Sequence, residues 1–188
     1  MVGNAKSEHI AYKVRGKSMK IVILNGSPRK ENTSAMVEAF CEGAKAAGHE
    51  VEEYQVGRMK IAGCLACEYC HGKGNGACIQ KDDMQELYPL IAEAEVLVLA
   101  SPIYYFTLSA QIQASIHRCY NIMTPPKLKK MALLLSSYSP DVYDAALTQY
   151  HYIHDYWKAE DLGHVTAKID EQKTEATKQK IVDIVAKL

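Results

Sequence analysis

Short apolar runs alternate along the chain with longer stretches in which apolar residues recur every three or four positions. A continuous apolar run predicts a strand that is covered on both faces, whereas a more polar run predicts an edge strand. The apolar runs therefore predict strands at 20–25, 96–100, 131–135 and 164–169, and a more polar segment predicts an edge strand at 50–55.

Helical periodicity fills the intervals between the predicted strands. It predicts helices at 32–48, 82–94, 109–122, 140–158 and 171–188. Asn32, Thr33 or Ser34 can cap the first helix. Gly48 can end that helix, and Pro89 should kink the second. Strands that alternate with helices require right-handed crossovers and a parallel sheet, in which ligands bind at the carboxyl ends of the strands.

The composition restricts the classes of protein to which the chain can belong. Its 188 residues suffice for one domain, which we place at 19–188 after a weakly patterned polar extension at 1–18. Lysine plus arginine and aspartate plus glutamate number 22 each, so no net charge attracts nucleic acid or an anionic membrane. No apolar run reaches the roughly 20 residues of a membrane span, and we expect no secretory signal. We therefore expect a soluble cytoplasmic protein.

The segment 25–34 follows the first predicted strand and begins the first helix. It carries several hydrogen-bonding or charged side chains: Ser27, Arg29, Asn32, Thr33 and Ser34. The N–H groups and positive dipole at a helix start favour an anion, and a guanidinium can add a bidentate contact. An ordinary helix cap with solvated neighbours is the alternative. The segment matches neither G-x-x-x-x-G-K-[ST] nor G-x-G-x-x-G, which excludes a P-loop NTPase and argues against tightly bound NAD.

Two further loops should reach the same edge of the predicted sheet. The loop after the third strand contains Pro102, Ile103, Tyr104, Tyr105 and Phe106. Such a run can supply an apolar surface and backbone groups to a flat amphipathic ring, with a surface patch or subunit contact as the alternative. The loop after the fourth strand contains Ser136 and Tyr138, for which a plain turn is the alternative.

Four of the six cysteines lie in one short segment with the spacing C-x2-C-x2-C-x7-C: Cys64, Cys67, Cys70 and Cys78. In a reducing compartment such a cluster indicates metal or redox chemistry. Three closely spaced thiolates and a fourth nearby can ligate one iron–sulfur cluster, as in bacterial ferredoxin segments. A structural zinc ion, a redox disulfide or free thiols, and a loop that no longer holds metal are the alternatives.

The remaining cysteines and the histidines are less informative. Cys41 and Cys119 are predicted to be core residues, although Arg118 would lower the pKa of Cys119 if that thiol were exposed. The stretch 150–157 (YHYIHDYW) has aromatic residues at helical spacing, which favours packing in the core or in a dimer. No metal-ligand partner is evident in the sequence for four histidines: His117, His151, His154 and His164.

Three motifs, taken in order, resemble those of the NADPH-dependent FMN reductase group of flavodoxin-like proteins. They are G-S-P-R-x-x-N-T-S at 26–34, the cysteine segment with D-D-M at 82–84, and P-I-Y-Y at 102–105. Within that group the likeness is greatest to the iron–sulfur flavoproteins. The resemblance implies a flavodoxin-like, doubly wound α/β fold whose five-stranded parallel sheet has the order 2-1-3-4-5.

The resemblance also implies cofactors. The five polar side chains at 27–34 would bind the FMN phosphate, and 102–105 would line the isoalloxazine ring with Phe106 behind it. The loop with Ser136 and Tyr138 corresponds to the group by position alone. The four clustered cysteines would bind a [4Fe–4S] cluster, and we expect a homodimer or higher homo-oligomer.

The leading functional hypothesis is an FMN-dependent NAD(P)H oxidoreductase. NAD(P)H would bind transiently over the flavin, and electrons would pass to a quinone, free flavin, another small acceptor or a redox protein. Because the flavin performs this chemistry, no side chain is nominated as catalytic. The alternative is an electron-transfer protein that uses FMN and the cluster to serve partner proteins, and a third hypothesis is a non-catalytic flavin-binding sensor.

Overall fold

Five parallel strands form the sheet of this chain, whose computed structural model describes residues 17–188. The strands are β1 (Lys20–Asn25), β2 (Glu50–Tyr54), β3 (Val96–Pro102), β4 (Lys130–Ser136) and β5 (Glu160–Ala167). They are hydrogen-bonded in the order β2-β1-β3-β4-β5, with every neighbouring pair parallel. The predicted flavodoxin-like sheet order is confirmed. Of the extension predicted at 1–18, only Lys17 and Ser18 are among the described residues.

Within residues 17–188, four helices connect the strands and a fifth follows β5, and together they cover both faces of the sheet. They are α1 (Asn32–Ala46), α2 (Met84–Glu93), α3 (Ala110–Arg118), α4 (Asp144–Tyr156) and α5 (Glu175–Val185). Each predicted helix is present, with Pro89 inside α2. None of the helices between Lys17 and Leu188 combines the length and apolarity needed to cross a membrane.

The helices are shorter than the periodicity predicted, because they begin later or end earlier. The helix predicted from 171 begins at Glu175 because Thr174 is its N-cap, whose side chain accepts a hydrogen bond from the backbone N–H of Thr177. The helix predicted over 109–122 ends at Arg118 and continues as a single 3-10 turn, Cys119–Asn121.

Strand β5 begins at Glu160, earlier than the predicted start at 164. Glu160 pairs in register with Lys130 of β4, and its side chain is exposed, as suits a strand at the edge of the sheet. Gly163 has a φ of 106°, and the register with β4 shifts beside it. An edge strand with polar residues and a bulge lacks the apolar run on which the prediction relied.

Side chains of the central strands alternate between two cores. In β1, Val22 and Leu24 pack with residues of α2, α3 and α4, whereas Ile21 and Ile23 pack with residues of α1 and α5. All four are buried. Burial of one such side chain stabilises the fold by about 1.5–3 kcal/mol relative to exposure. Two cores on opposite faces are the doubly wound arrangement that the sequence predicted.

The winding of the chain reverses at β1, which lies between β2 and β3. The loops after β1 and β3 are adjacent, since the backbone N–H of Gly26 donates to the carbonyl oxygen of Ala100 at 2.7 Å. Gly26 also packs so closely on α3 that a Cβ would lie 2.3 Å from Ser109 Oγ and 2.4 Å from Ile112 Cγ1. Open parallel sheets bind ligands at such a switch point.

Candidate functional site

A cavity of about 450 Å³ opens at the carboxyl ends of β1, β3 and β4. Most of the predicted contact residues line it: Ser27, Arg29, Asn32, Thr33, Pro102, Ile103, Tyr104, Ser136 and Tyr138. Glu31, Ser137 and Ile169 also line the cavity and were not predicted. Three segments that the sequence pattern selected separately therefore meet at one edge of the sheet.

Hydrogen bonds hold the loop after β1 in one shape. The buried Asn25 side chain accepts from the N–H of Ser27 at 3.0 Å and donates to Glu53 Oε1 at 2.8 Å. The Ser27 hydroxyl donates to the carbonyl oxygen of Arg29 at 2.9 Å and accepts from the N–H of that residue at 3.2 Å. Gln55 Nε2 donates to the Ser27 carbonyl oxygen at 3.0 Å. Because side chains bond backbone groups two residues away, the chain's own hydrogen bonds hold the turn.

Gly57 lies directly behind this loop. A Cβ on Gly57 would lie 2.4 Å from both the carbonyl carbon and the carbonyl oxygen of Ser27. Backbone atoms cannot rotate out of the way as a flexible side chain can. Glycine is therefore required at this position if the loop is to keep its shape.

The start of α1 faces the cavity without a side-chain cap. Glu31 occupies the N-cap position, and its side chain accepts no hydrogen bond from the first turn. The predicted capping by Asn32, Thr33 or Ser34 is wrong. The buried Thr33 hydroxyl is instead hydrogen-bonded to that of Ser136 at 2.7 Å, and the Ser34 hydroxyl donates to a loop carbonyl at 3.2 Å. An uncapped helix start can offer its N–H groups and its positive dipole to an anion.

Arg29 and Glu31 form an ion pair at the rim of the cavity. Arg29 Nη1 lies 3.5 Å from Glu31 Oε2, with the two side chains 65% and 57% exposed. Exposed pairs of this kind contribute only about 0–1 kcal/mol, so Arg29 can exchange the carboxylate for a phosphate. This carboxylate was not predicted, and an incoming anion must compete with it for Arg29.

The loop after β3 contributes one aromatic residue to the cavity and exposes two others. Tyr104 and Thr107 exchange backbone hydrogen bonds at 3.1 and 3.2 Å, which closes a tight turn. Tyr105 and Phe106 occupy the tip of the turn with φ of 47° and 68° and are 95% and 59% exposed. Tyr104 therefore lines the cavity, whereas Tyr105 and Phe106, predicted with it, lie outside the cavity lining. Ser34 is also outside, on the neighbouring surface of α1.

The loops after β4 and β5 close the third side of the cavity. Ile103 N–H donates to the Ser136 carbonyl oxygen at 2.8 Å, which links the loops after β3 and β4. The Ser137 hydroxyl donates to the Ser139 carbonyl oxygen at 2.6 Å and so shapes the turn that carries Tyr138. Ile169 was missed because the loop after β5 was not considered. The predicted sheet order could have identified Ile169, since β5 is next to β4 and must end at the same edge of the sheet.

The four clustered cysteines lie in the loop that connects the 3-10 turn Val56–Arg58 to α2. Cys64 and Cys67 are exposed, and Cys70 and Cys78 are half-buried. Backbone hydrogen bonds order the loop between them, among them Gly74 N–H to the Tyr69 carbonyl oxygen at 2.7 Å and Gly76 N–H to that of Cys70 at 2.8 Å. The cysteine loop is thus a defined structure with four accessible or half-buried thiols.

Arg118, the last residue of α3, binds both ends of the cysteine loop. Its Nη1 donates to the Ala62 carbonyl oxygen at 3.0 Å and to Asp82 Oδ2 at 2.6 Å. Its Nε donates to the Tyr88 hydroxyl at 3.0 Å, and its side chain is wholly buried. Asn121 Nδ2 also donates to the Gly76 carbonyl oxygen at 2.8 Å. Helix α3 and its 3-10 turn therefore fix the position of the loop.

The thiol environments differ within the loop. Burial raises the pKa of Cys78. Hydrogen bonds from Gln80 and Tyr88 and the charge of Arg118 together lower this pKa by a larger amount, so the net shift is downward. Burial raises the pKa of Cys70. Cys119 is buried in the core, as predicted, and burial raises its pKa to about 12, so the exposure that would let Arg118 lower this pKa is not met. A lowered pKa favours the thiolate that binds a metal.

The spacing of the sulfurs bears on the kind of metal site. Between residues 17 and 188, the cysteines of this loop form no group of three whose sulfurs lie within 4.8 Å of one another. Tetrahedral zinc with Zn–S bonds of 2.3 Å holds its sulfurs about 3.8 Å apart. A cluster of several iron atoms spreads its ligands more widely. The described sulfurs are therefore not arranged as a preformed tetrahedral zinc site.

Curated relatives carry similar sequences. The chain is 40% identical over 112 residues to an iron–sulfur flavoprotein of Archaeoglobus fulgidus, covering 59% of this chain and 50% of the relative. It is 34% identical over 101 residues to the iron–sulfur flavoprotein of Methanosarcina thermophila, covering 53% and 52% respectively. The chain thus spans about half the length of the curated relatives that it matches.

Solved structures share the fold at low sequence identity. The NAD(P)H:quinone oxidoreductase from Methanothermobacter marburgensis superposes with a TM-score of 0.66 at 18% identity, covering 91% of this chain and 94% of that one. The FMN-dependent NADH-azoreductase from Bacillus anthracis superposes with a TM-score of 0.63 at 15% identity, covering 89% and 96%. A family model described as NADPH-dependent FMN reductase matches residues 19–173. The chain belongs to the NADPH-dependent FMN reductase family.

Proposed function

We propose that the protein binds FMN in the cavity at the carboxyl ends of β1, β3 and β4 and acts as an NAD(P)H oxidoreductase. The observation that carries the proposal is the meeting of an uncapped helix start with an apolar surface in one cavity. The phosphate would lie at the start of α1, beside the buried hydroxyls of Ser27 and Thr33 and within reach of Arg29. The ring would lie against Pro102, Ile103 and Tyr104.

The residues around the cavity bind and orient rather than transfer protons. Bound FMN would supply the redox chemistry, accepting hydride from NAD(P)H and returning electrons to a second substrate. The hydrogen-bonded turn at Ser27 fixes the phosphate position, and the bond between Ile103 and Ser136 fixes the loop beneath the ring. No acid or base is required of the chain for these roles. The acceptor we favour is a quinone, free flavin or another small molecule.

Paired substitutions at neighbouring cations test this site. Arg29 lines the cavity, whereas Lys30 lies on the adjacent outer surface of α1, so each change removes one positive charge but only one alters a cavity residue. We expect Arg29→Ala to weaken FMN binding about tenfold, as loss of a charged hydrogen bond does, and Lys30→Ala to weaken it less than twofold. Flavin fluorescence quenching measures binding, and NADPH oxidation with added quinone measures activity. Equal effects of both variants, or no FMN binding by the parent, would contradict the proposal.

A second candidate is an electron-transfer flavoprotein with a [4Fe–4S] cluster in the cysteine loop. The ordered loop, bound at both ends by Arg118, favours it, as does the likeness to proteins named iron–sulfur flavoproteins. There the four thiolates would hold the cluster and pass single electrons between the flavin and a partner protein. Protein purified without air should then show a reduced-cluster EPR signal that Cys67→Ser abolishes. Stoichiometric zinc, or no metal and no signal, would eliminate this candidate and leave the FMN proposal intact.

A further inference from the structure

Two imidazoles and one carboxylate meet between α4 and β5, far from the cavity. His151 Nδ1 lies 3.2 Å from His154 Nε2, and His154 Nε2 lies 3.9 Å from Asp161 Oδ2. One ligand atom from each residue lies within 4.8 Å of the other two. Among residues 17–188 this is the one group of three or more histidine, cysteine, aspartate or glutamate side chains gathered so closely.

The three residues of this group lie within eleven positions of one another in the sequence but belong to two different elements, α4 and β5. His151 and His154 are three residues apart in α4, so they lie on one face of the helix. Asp161 is the second residue of β5 and pairs with Met131 of β4. The turn between α4 and β5 brings the carboxylate back onto the helix. No partner for these histidines was evident in the sequence because the carboxylate comes from a strand whose start was not predicted.

Neighbouring groups hold the three ligand atoms in place. Asp161 Oδ1 accepts from the buried Tyr150 hydroxyl and from the Gly163 N–H, both at 2.8 Å, which leaves Oδ2 on the side of His154. His154 is nearly buried, and its Nδ1 lies 3.3 Å from Asp155 Oδ1. A carboxylate beside the second ring nitrogen is typical of metal-binding histidines, because it keeps the other nitrogen unprotonated.

We propose that His151 Nδ1, His154 Nε2 and Asp161 Oδ2 bind a divalent transition-metal ion of the zinc type. Two nitrogens bound to a tetrahedral ion at 2.0–2.1 Å are about 3.3 Å apart, close to the separation found here. Asp161 Oδ2, 3.9 Å from His154 Nε2, must approach that nitrogen by about 0.5 Å to reach the same spacing. Two imidazoles and one carboxylate select zinc, cobalt or nickel over calcium and magnesium, which prefer oxygen ligands. At least one coordination position is left for water or an external ligand.

This metal site is distinct from the flavin cavity. Asp161 is near the amino end of β5, whereas the cavity is at the carboxyl ends of the strands. The seven residues from Asp161 to Ala167 span about 20 Å of extended strand. The ion would join the last turns of α4 to the edge strand of the sheet.

The test uses the full chain with the four loop cysteines changed to serine, so that their thiols do not compete for metal. After chelator treatment, calorimetric titration with Zn²⁺ should show one equivalent bound. His151→Gln should weaken that binding by at least about tenfold, since even partners outside the ligand set change metal affinity by 10–100-fold. His117→Gln, which removes an exposed histidine on α3, is the matched control and should leave affinity unchanged.

A second variant separates ligand loss from unfolding. Asp161→Asn keeps an oxygen for Tyr150 and Gly163 but removes the charge, and it should also weaken Zn²⁺ binding while circular dichroism stays unchanged. Cobalt substitution of the same protein should give weak visible bands that His151→Gln removes. Absence of binding at millimolar Zn²⁺, or equal affinity in the parent and His151→Gln, would overturn the proposal and leave a hydrogen bond between two histidines.

Discussion

Arg118 and Asp82 form a two-point ion pair, with Nη1 2.6 Å from Oδ2 and Nη2 3.1 Å from Oδ1. The Arg118 side chain is wholly buried, and Asp82 is mostly so. The pair joins the end of α3 to the end of the cysteine loop. Asp82 is the only carboxylate among the hydrogen-bond and ion-pair partners of Arg118 within residues 17–188.

The first prediction follows from the burial of this pair. Asp82→Asn should lower the free energy of unfolding by about 3–5 kcal/mol, because it leaves a buried guanidinium without its counter-charge. Glu93→Gln breaks the exposed ion pair with Lys127 and should cost less than about 1 kcal/mol. Urea denaturation of both variants measures the difference. Equal losses would show that Asp82 does not stabilise the buried charge.

The second prediction concerns acid. Burial raises the pKa of Asp82, but hydrogen bonds from Arg118 and from the backbone N–H groups of Ala62 and Met84, together with the charge of Arg118, lower it by more in total. The net shift is therefore downward. A lowered folded-state pKa stabilises the fold above the unfolded carboxyl pKa of about 3.9 and loses that contribution as the pH falls through the folded-state value. The stability gap between the parent and Asp82→Asn should therefore be constant near neutrality and shrink in acid. Denaturation series across pH measure this gap, and a gap that widens in acid would contradict the assignment.

The third prediction compares two glycines. Gly57→Ala would push the backbone of Ser27 out of position, whereas a Cβ at Gly63 meets no atom within 4 Å. Overpacking of this kind typically costs about 1–3 kcal/mol. We expect Gly57→Ala to lower both the melting temperature and FMN affinity, with Gly63→Ala close to the parent in both. Unchanged FMN affinity in Gly57→Ala would mean that the loop after β1 does not hold the phosphate.

The fourth prediction concerns the aromatic turn after β3. Phe106 has a φ of 68°, a conformation that costs a residue other than glycine about 1 kcal/mol or more. Phe106→Gly should therefore raise the stability by up to about 1 kcal/mol and change FMN affinity less than twofold, since the side chain is outside the cavity. Tyr104→Ala, which alters a cavity residue, should weaken FMN binding clearly. A large loss of FMN affinity in Phe106→Gly would show that the turn closes over the ring.

The sequence predicted the elements that depend on local pattern. Continuous apolar runs identified β1, β3 and β4, and the hydroxyl-rich segment at 26–34 identified the loop at the start of α1. Local pattern did not predict the hydrogen-bond partner of Thr33. Its side chain has the chemistry of a helix cap, but its hydroxyl is bonded to Ser136, which is adjacent only because α1 begins near the end of β4 in the folded sheet.

Long-range ion pairs and ligand groups were less predictable. In the sequence the only group considered beside Arg118 was the adjacent Cys119. In the structure Arg118 binds Asp82, which lies 36 residues earlier. His151 and His154 meet Asp161 only through the turn into β5. Contacts of this kind depend on the packing of elements, which no local spacing reveals. The expected homodimer stays a prediction.

Helix α3 touches both candidate redox elements. Ser109 and Ile112, at its start, pack against Gly26 of the loop after β1, and Arg118, at its end, binds the cysteine loop. Its nine residues span about 14 Å. A change that shifts this helix along its axis would therefore displace both loops together.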